Sequence, residues 1–392
     1  MKTILRFFAS LRLTIVLLGF SMALIFFMTL NQVHLGIHGA LAKYIESFFV
    51  LWEWPEQWGS DWHFIAIPLP GGYLLGGMLL INLIAAHITR FKPGWKQLGI
   101  QAIHFGLILL LIGEAITRFY AVETQMAIRE GETVNYSFDQ GDNELVVIDR
   151  SDPVYDQVVA FPEKWVERHN GQILQHEELP FQLKVLRYFP NGPIGRADAN
   201  SSAPRTQANR GLASEMGMAI FPSPVTYAED QTNTATAEVE ILTPQGSLGI
   251  WLVSNVFDGD QWKPQIFEYD GKPYEIAMRF RRDYKDFALK LHDFTFDRYP
   301  GTQMARDYRS RVELMDPLRK EDRTVDIYMN NPLRHAGYVF YQASFSQDET
   351  TTILQVVKNP GFFMPYLAFA LITFGLLYHF ILHSFRRVRV HS

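Results

Sequence analysis

Four runs of apolar residues constrain what this chain can become. They cover roughly 11–30, 72–89, 98–117 and 362–383, and each is long enough to cross the hydrocarbon core of a bilayer as a helix. Three of them lie before residue 118, and the fourth follows a long polar block. The expected architecture is therefore a membrane protein of four transmembrane α-helices, arranged three plus one. A large β-rich extracytoplasmic domain lies between helices three and four. The first run has an apolar core too long for a signal peptide, and no small-residue cleavage site follows at Asn31-Gln32-Val33-His34, so it reads as a retained span.

Charge sets the expected orientation. Lys2, Arg6 and Arg12 precede the first span, Arg90, Lys92 and Lys96 fill the short link between spans two and three, and Arg386, Arg387 and Arg389 follow span four. The stretch 32–71 holds one basic residue, Lys43. An even number of crossings separates the three basic clusters, so one topology places all of them, and both termini, on the cytoplasmic side. The polar block then faces outward. The net charge of −5 gives no reason to expect nucleic acid. The absence of cysteine excludes disulfides, thiolate metal sites and thiol catalysis.

The chain divides into a membrane region over 1–118, an extracytoplasmic β-rich domain over 119–360, and a last span with a basic tail over 361–392. Between spans one and two, Ile37, Leu41, Ile45, Phe48 and Trp52 recur at helical spacing in a segment too polar to cross, which predicts an interfacial helix over 35–52. Trp54, Trp58 and Trp62 follow, as in an aromatic belt, or as stacking groups for a cofactor. In the polar block, strands are expected near 181–188, 237–242, 248–256, 274–280, 287–296 and 325–329, then 339–345 and 352–357. Gly, Pro, Asp or Asn bound the runs, as in a sandwich or open barrel. Residues 190–212, rich in small and polar types, read as an exposed loop.

The residues with chemical potential are mostly histidines. His104 lies inside the third run, where an ionisable side chain is costly and faces a partner or a cavity. It is either a metal ligand or an imidazole bonded to its neighbours. His87 lies three residues before Arg90, as a second candidate or as a side chain reaching toward water. With a rise of about 1.5 Å per residue the two differ in depth by roughly 5 Å, and the short link makes their helices antiparallel neighbours. His379 and His383, and likewise His34 and His38, stand at i and i+4, a spacing that suits a metal or a headgroup-level surface equally. Glu114 is placed to pair with Arg118 four residues on. His292-Asp293 reads as a strand-surface feature. Phosphate-loop, zinc-protease and nucleophile-elbow motifs are all missing.

Three segments resemble the ResB family (also called CcsB) of cytochrome c biogenesis proteins. They are His104-Phe105-Gly106 through Gly113 to Thr117-Arg118-Phe119, with Met126-Ala127-Ile128-Arg129-Glu130-Gly131-Glu132; Asp293 to Arg311, with Tyr299-Pro300-Gly301-Thr302 and Tyr308-Arg309-Ser310; and Met329-Asn330-Asn331-Pro332-Leu333, followed by Gly337-Tyr338-Val339-Phe340-Tyr341-Gln342-Ala343-Ser344-Phe345. The resemblance implies a subunit that performs no chemistry alone. With a ResC/CcsA-type membrane partner it carries haem b across the bacterial inner membrane for covalent attachment to apocytochrome c on the periplasmic side, the complex acting as the haem lyase. It implies His104 as an axial haem ligand, shared across the interface with a histidine of the partner, and leaves His87 unassigned. Thiol-reducing proteins enter only indirectly. The partner's tryptophan-rich motif is absent, since Trp52, Trp54, Trp58 and Trp62 do not match it. A haem in this setting needs neutral nitrogen ligands and cations for its propionates. Arg90, Lys92 and Lys96 suit the second role, or serve topology alone. Two rival readings fit the same spans: a transporter or channel subunit, and a membrane-tethered scaffold unrelated to haem.

Overall fold

A computed structural model describes residues 2–54, 66–196, 206–226, 232–259, 262–301, 305–346 and 349–390. Its α-helices, in chain order, are α1 (Lys2–Phe8), α2 (Leu11–Ala40), α3 (Gly72–Arg90), α4 (Leu98–Tyr120), α5 (Glu163–Arg168), α6 (Gly211–Met216) and α7 (Met364–Val390). Two compact units emerge, one comprising Met1–Val122 with Lys358–Ser392, the other Glu123–Thr226 with Gln231–Val357.

The first unit is helical. Its four helices long and apolar enough to cross a membrane have spans at Leu11–Ile37, Gly72–Arg90, Trp95–Tyr120 and Met364–Leu382, which makes the chain a multi-pass membrane protein. The chain breaks between α1 and α2, and α3 fastens the break. Asn82, buried within α3, donates to the carbonyls of Phe8 (2.5 Å) and Ser10 (3.2 Å) and accepts from the Thr14 hydroxyl (2.7 Å). Helix ends leave carbonyls without intrahelical donors, and in an apolar setting a side-chain amide is a way to satisfy them. Arg90, at the other end of α3, donates to the Ala9 carbonyl at 3.0 Å.

The predicted interfacial helix over 35–52 is shorter than its periodicity suggested. Gly36 adopts φ 67° and ψ 175°, a conformation available to glycine, and kinks α2. The helix ends in a π-helical turn, Leu41–Ile45, and Phe49–Glu53 then forms a strand paired antiparallel with Ala66–Pro70. Trp52 therefore alternates inward on a strand. It is buried against Phe27 (ring centroids 4.7 Å), in a core with Leu17, Leu24, Tyr44, Val50, Leu69 and Leu75. Trp54 packs at the edge of that core, and Trp58 and Trp62 lie outside the described residues.

The second unit is a β-rich, nearly closed barrel continuous with a sandwich. The main sheet runs Glu321–Tyr328, Ala305–Asp316, Lys272–Arg298, Thr133–Asp149, Val122–Arg129, Thr351–Lys358, Tyr338–Phe345 and Leu333–His335, with two further strands paired at one end. Its first and last strands are joined by a tight turn in which Tyr328 and Asn331 bridge, so the sheet curls back on itself. A four-stranded sheet of Gly246–Ser254, Thr236–Thr243, Gln182–Phe189 and Ile173–Leu174 faces the other end of the main sheet.

One 27-residue strand, Lys272–Arg298, serves both cores. Tyr274, Ile276 and Met278 belong to the sandwich core with Val185, Val239 and Trp251, while Phe287, Leu289 and Leu291 belong to the barrel core with Ile128, Val312 and Phe340. The inward residues change from even to odd positions. Side chains alternate across a strand, so such a change requires a register break, and pairing with Thr133–Asp149 shifts at Phe280/Arg281 and again at Tyr284/Leu289. Sequence periodicity registers this as two strands, 274–280 and 287–296. The expected loop over 190–212 also contains a short strand, Ile194–Arg196, paired with Met218–Ile220.

Candidate functional site

Helices α3 and α4 are joined by a link of seven residues (91–97), so they run antiparallel and side by side. This brings His87 near the end of α3 next to His104 in the second turn of α4. Their rings lie 6.0 Å apart, centroid to centroid, with planes at 51°. Phe91 closes over His87 at 5.7 Å. The Nδ1 atom of His87 is buried and makes no hydrogen bond. A buried polar atom left unbonded costs about 1–3 kcal/mol, so its persistence in an apolar span needs an explanation.

The rest of α4 explains why these rings are available. Gly99, Gly106 and Gly113 form one buried stripe. A Cβ on Gly106 would stand 2.7 Å from Ile372 and 2.9 Å from the Ala368 carbonyl, and one on Gly113 would stand 2.7 Å from Met364. Backbone-to-backbone packing against α7 thus occupies the glycine face. Successive residues turn by about 100° in a helix, which places His104 on the side away from that stripe. On these two helices Ile84, Ile88, Phe91, Ile100 and Phe105 are exposed apolar side chains.

The other sequence candidates separate. His379 lies against Gly99, where its Cβ is 3.0 Å from the position a Cβ there would take, so it sits on the α4–α7 seam. The side chains of His383 and His38 lie outside the described residues, and the Gly36 kink falls between His34 and His38. Among the described residues no group of three or more His, Asp or Glu side chains suits a metal ion. The expected Glu114–Arg118 pair does not form. Arg118 bonds Glu46, which the π turn presents after α2, and Glu114 stands exposed without an ion pair among the described residues. Arg90 is engaged with Ala9, while Lys92 and Lys96 are exposed. His292, on the β unit, bonds Glu313 at 2.8 Å and is a strand-surface group.

Sequence reasoning missed a buried polar knot in the barrel. His335 Nε2 lies 2.8 Å from Asp316 Oδ2, and His335 Nδ1 lies 3.5 Å from Glu321. Burial alone would raise the Asp316 carboxyl. The Arg319 backbone N–H and guanidinium, with the His335 ring, outweigh it and hold the group well below the ordinary carboxylate range. The available signal was alternation: Leu333 and His335 both point inward, so the histidine occupies a core position.

Comparison with known proteins places this arrangement. Residues 270–353 match the ResB-like family. The match runs from the long shared strand through the knot around His335 to the late strands, so it covers most of the barrel wall. Protein NrfI of Wolinella succinogenes is similar to this chain, 26% identical over 309 residues, which cover 78% of this chain but 29% of NrfI. The chain thus spans less than a third of the length of that relative. The motif Met329-Asn330-Asn331-Pro332 acquires a physical reason here. Asn330 takes φ 62°, a left-handed position that Asn tolerates, and the Asn331 amide donates to the Asp326 carbonyl at 3.2 Å.

Proposed function

We propose that this chain is a haem-handling membrane subunit of a cytochrome c biogenesis complex. The observation that carries the reading is the imidazole His104 inside a membrane span, beside a second imidazole with an unbonded nitrogen, on helices that carry exposed apolar side chains. A haem is a flat apolar disc whose iron takes neutral nitrogen donors, and that donor set is the one available here. Haem b is the cargo, and His104 is its axial ligand. Lys92 and Lys96 are the exposed cations beside the pair's end of the helices, suited to the propionates, whereas Arg90 spends its guanidinium on the α1–α2 break.

On this reading the three basic clusters face the cytoplasm of a bacterial inner membrane and the β unit faces outward. The partner is a ResC/CcsA-type membrane protein, and the final acceptor is apocytochrome c. With no cysteine, the chain relies on other proteins to keep the acceptor thiols reduced. The chain performs no bond chemistry alone. It binds and positions haem, and attachment belongs to the complex.

The test is to co-express the chain with such a partner and an apocytochrome, purify the complex, and record its Soret absorbance together with the yield of holocytochrome. His104→Ala should lose copurifying haem and mature cytochrome together. Full haem content and normal maturation in that variant would overturn the reading.

A further inference from the structure

The hairpin between the first two spans has an apolar face that nothing in the chain covers. We infer that this hairpin, Phe49–Glu53 paired with Ala66–Pro70, lies in the headgroup-to-acyl boundary of the bilayer, with Phe48, Phe49, Leu51 and Pro68 turned to lipid. The inference rests on the membrane spans alone and is independent of the haem reading.

The argument begins with alternation. Side chains point to opposite faces along a strand, so a hairpin packed on one side ordinarily shows polar groups on the other. Here both faces are apolar. Val50, Trp52 and Leu69 are buried in the helical core, while Phe49, Leu51 and Pro68 between them are exposed. Leu51 stands opposite Pro68 in the register, so they share that outer face. Phe49 is 76% exposed, and Phe48 just before it 61%. A contiguous exposed apolar face of this kind marks contact with lipid or protein.

The base of the hairpin fixes its depth. The Gly71 N–H donates to the Phe48 carbonyl at 2.8 Å, and the Tyr73 N–H, in the first turn of α3, to the Ser47 carbonyl at 3.2 Å. A Cβ on Gly71 would stand 2.2 Å from the Ser47 carbonyl oxygen, and one on Gly72 2.5 Å from that of Ile45, so no side chain fits between. Glu46 bonds Arg118 in the last turn of α4, and the Tyr73 ring lies between Phe48 (5.8 Å) and Phe119 (5.6 Å). The hairpin thus starts at the level where α3 begins and α4 ends. Its inner face gives the second limit. Trp52 packs on Phe27 of α2, and Ile25 and Phe26 next to it are exposed apolar residues of the first span. The apolar face of the hairpin therefore continues the membrane-facing surface of α2.

The strand edges select lipid over an added strand, and a shallow depth over a deep one. Within a sheet, proline is accepted where its nitrogen faces the free edge, so Pro68 and Pro70 leave the edge of Ala66–Pro70 without two donors. Another strand would need those donors. Unpaired backbone groups are also excluded from the hydrocarbon core, whereas water and headgroups meet them at its boundary. Seated there, the hairpin holds the adjoining ends of α2, α3 and α4 at one level of the bilayer.

Because the chain has no cysteine, single nitroxide labels can be placed on the full chain in vesicles of phosphatidylcholine and phosphatidylglycerol. Phe49→Cys and Leu51→Cys are compared with Met22→Cys, exposed within the first span, and Val154→Cys, exposed on the β unit. The readout is collision with oxygen, which concentrates in lipid, against collision with a neutral nickel chelate, which stays in water. The oxygen-to-nickel ratio at 49 and 51 should lie well above that at 154 and below that at 22. Both label sites are exposed, so the packed face is undisturbed, and Leu51→Cys decides the matter should Phe49→Cys fail to assemble. A ratio equal to that at 154 would put the face in water and overturn the inference. Loss of collisions with both reagents would overturn it in favour of a second copy of the chain covering the face. A ratio equal to that at 22 would overturn the boundary depth.

Discussion

The two units treat buried polar groups in opposite ways. In the β unit the buried charges have partners. Glu238 accepts from Arg187 (2.7 Å), the Thr206 hydroxyl (2.8 Å) and the Gln207 backbone (2.7 Å), and Arg279 pairs with Glu144 at 2.9 Å. Lys285 reaches Ser137 and Asp283, and Asp316 is tied to Arg319 and His335. The unbonded buried atoms there are the indole nitrogens of Trp251 and Trp262, which do not titrate near neutral pH. In the helical unit Asn31 and Asn82 are bonded, but His87 keeps a buried nitrogen without a hydrogen bond, as does the Trp52 indole. Satisfied polar groups hold a fold, whereas an unsatisfied one in a costly place marks where a ligand is expected.

That contrast can be broken most sharply at Arg279. Arg279→Ala should leave Glu144 buried and uncompensated, at a cost of about 3–5 kcal/mol. Replacing both partners, with Arg279→Met and Glu144→Leu, should recover most of it. Urea unfolding of the full chain in detergent, followed by tryptophan fluorescence, measures both; equal losses in the single and double variants would mean the pair itself stabilises the unit. The glycine seam comes next. Gly106→Leu should cost about 1–3 kcal/mol by overpacking against Ile372 and Ala368, while Leu107→Ala next to it should change thermal stability far less. If Gly106→Leu is silent, the close approach of α4 and α7 is wrong.

A smaller effect is expected in acid. Asp316 is held below its ordinary value of 3.8, so the unfolded chain binds this proton first as pH falls. Its contribution is therefore full above about pH 4 and is lost as pH drops through the folded value. Melting temperatures of wild type should fall more steeply below about pH 4 than those of Asp316→Asn, which should already be less stable at neutral pH. Parallel curves would remove Asp316 from the knot's account. The smallest change belongs to the surface. Glu46→Gln should lose up to about 1 kcal/mol with its Arg118 partner, and Glu114→Gln should stay within about 0.5 kcal/mol. The reverse order would restore the Glu114–Arg118 pair.

The helical spans were legible because a bilayer demands length and apolarity, and both are local properties of a sequence. His104 was legible for the same reason, as an expensive exception within such a run. What sequence could not supply was partnership across distance. Arg118 has a favourable neighbour four residues away, yet bonds Glu46, because the π turn ends there. The interfacial helix failed at Gly36 and in the aromatic run after it, where residues of helical spacing are also good strand formers. The long strand read as two because its inward parity changes midway, and periodicity counts only one face at a time. The glycines at 99, 106 and 113 were visible, but their role depends on a helix at the far end of the chain.

That dependence has a consequence in time. Thr117 of α4 and Asn359 just before α7 bond across 242 positions of sequence. During synthesis α4 is complete long before its mate exists, so its glycine face waits for α7 while the β unit is made. A late-arriving helix that seals an early one acts as a clasp fastened last. Assembly of the membrane part is then gated by completion of the domain between, and a chain stalled within that domain would leave α4 without its packing partner.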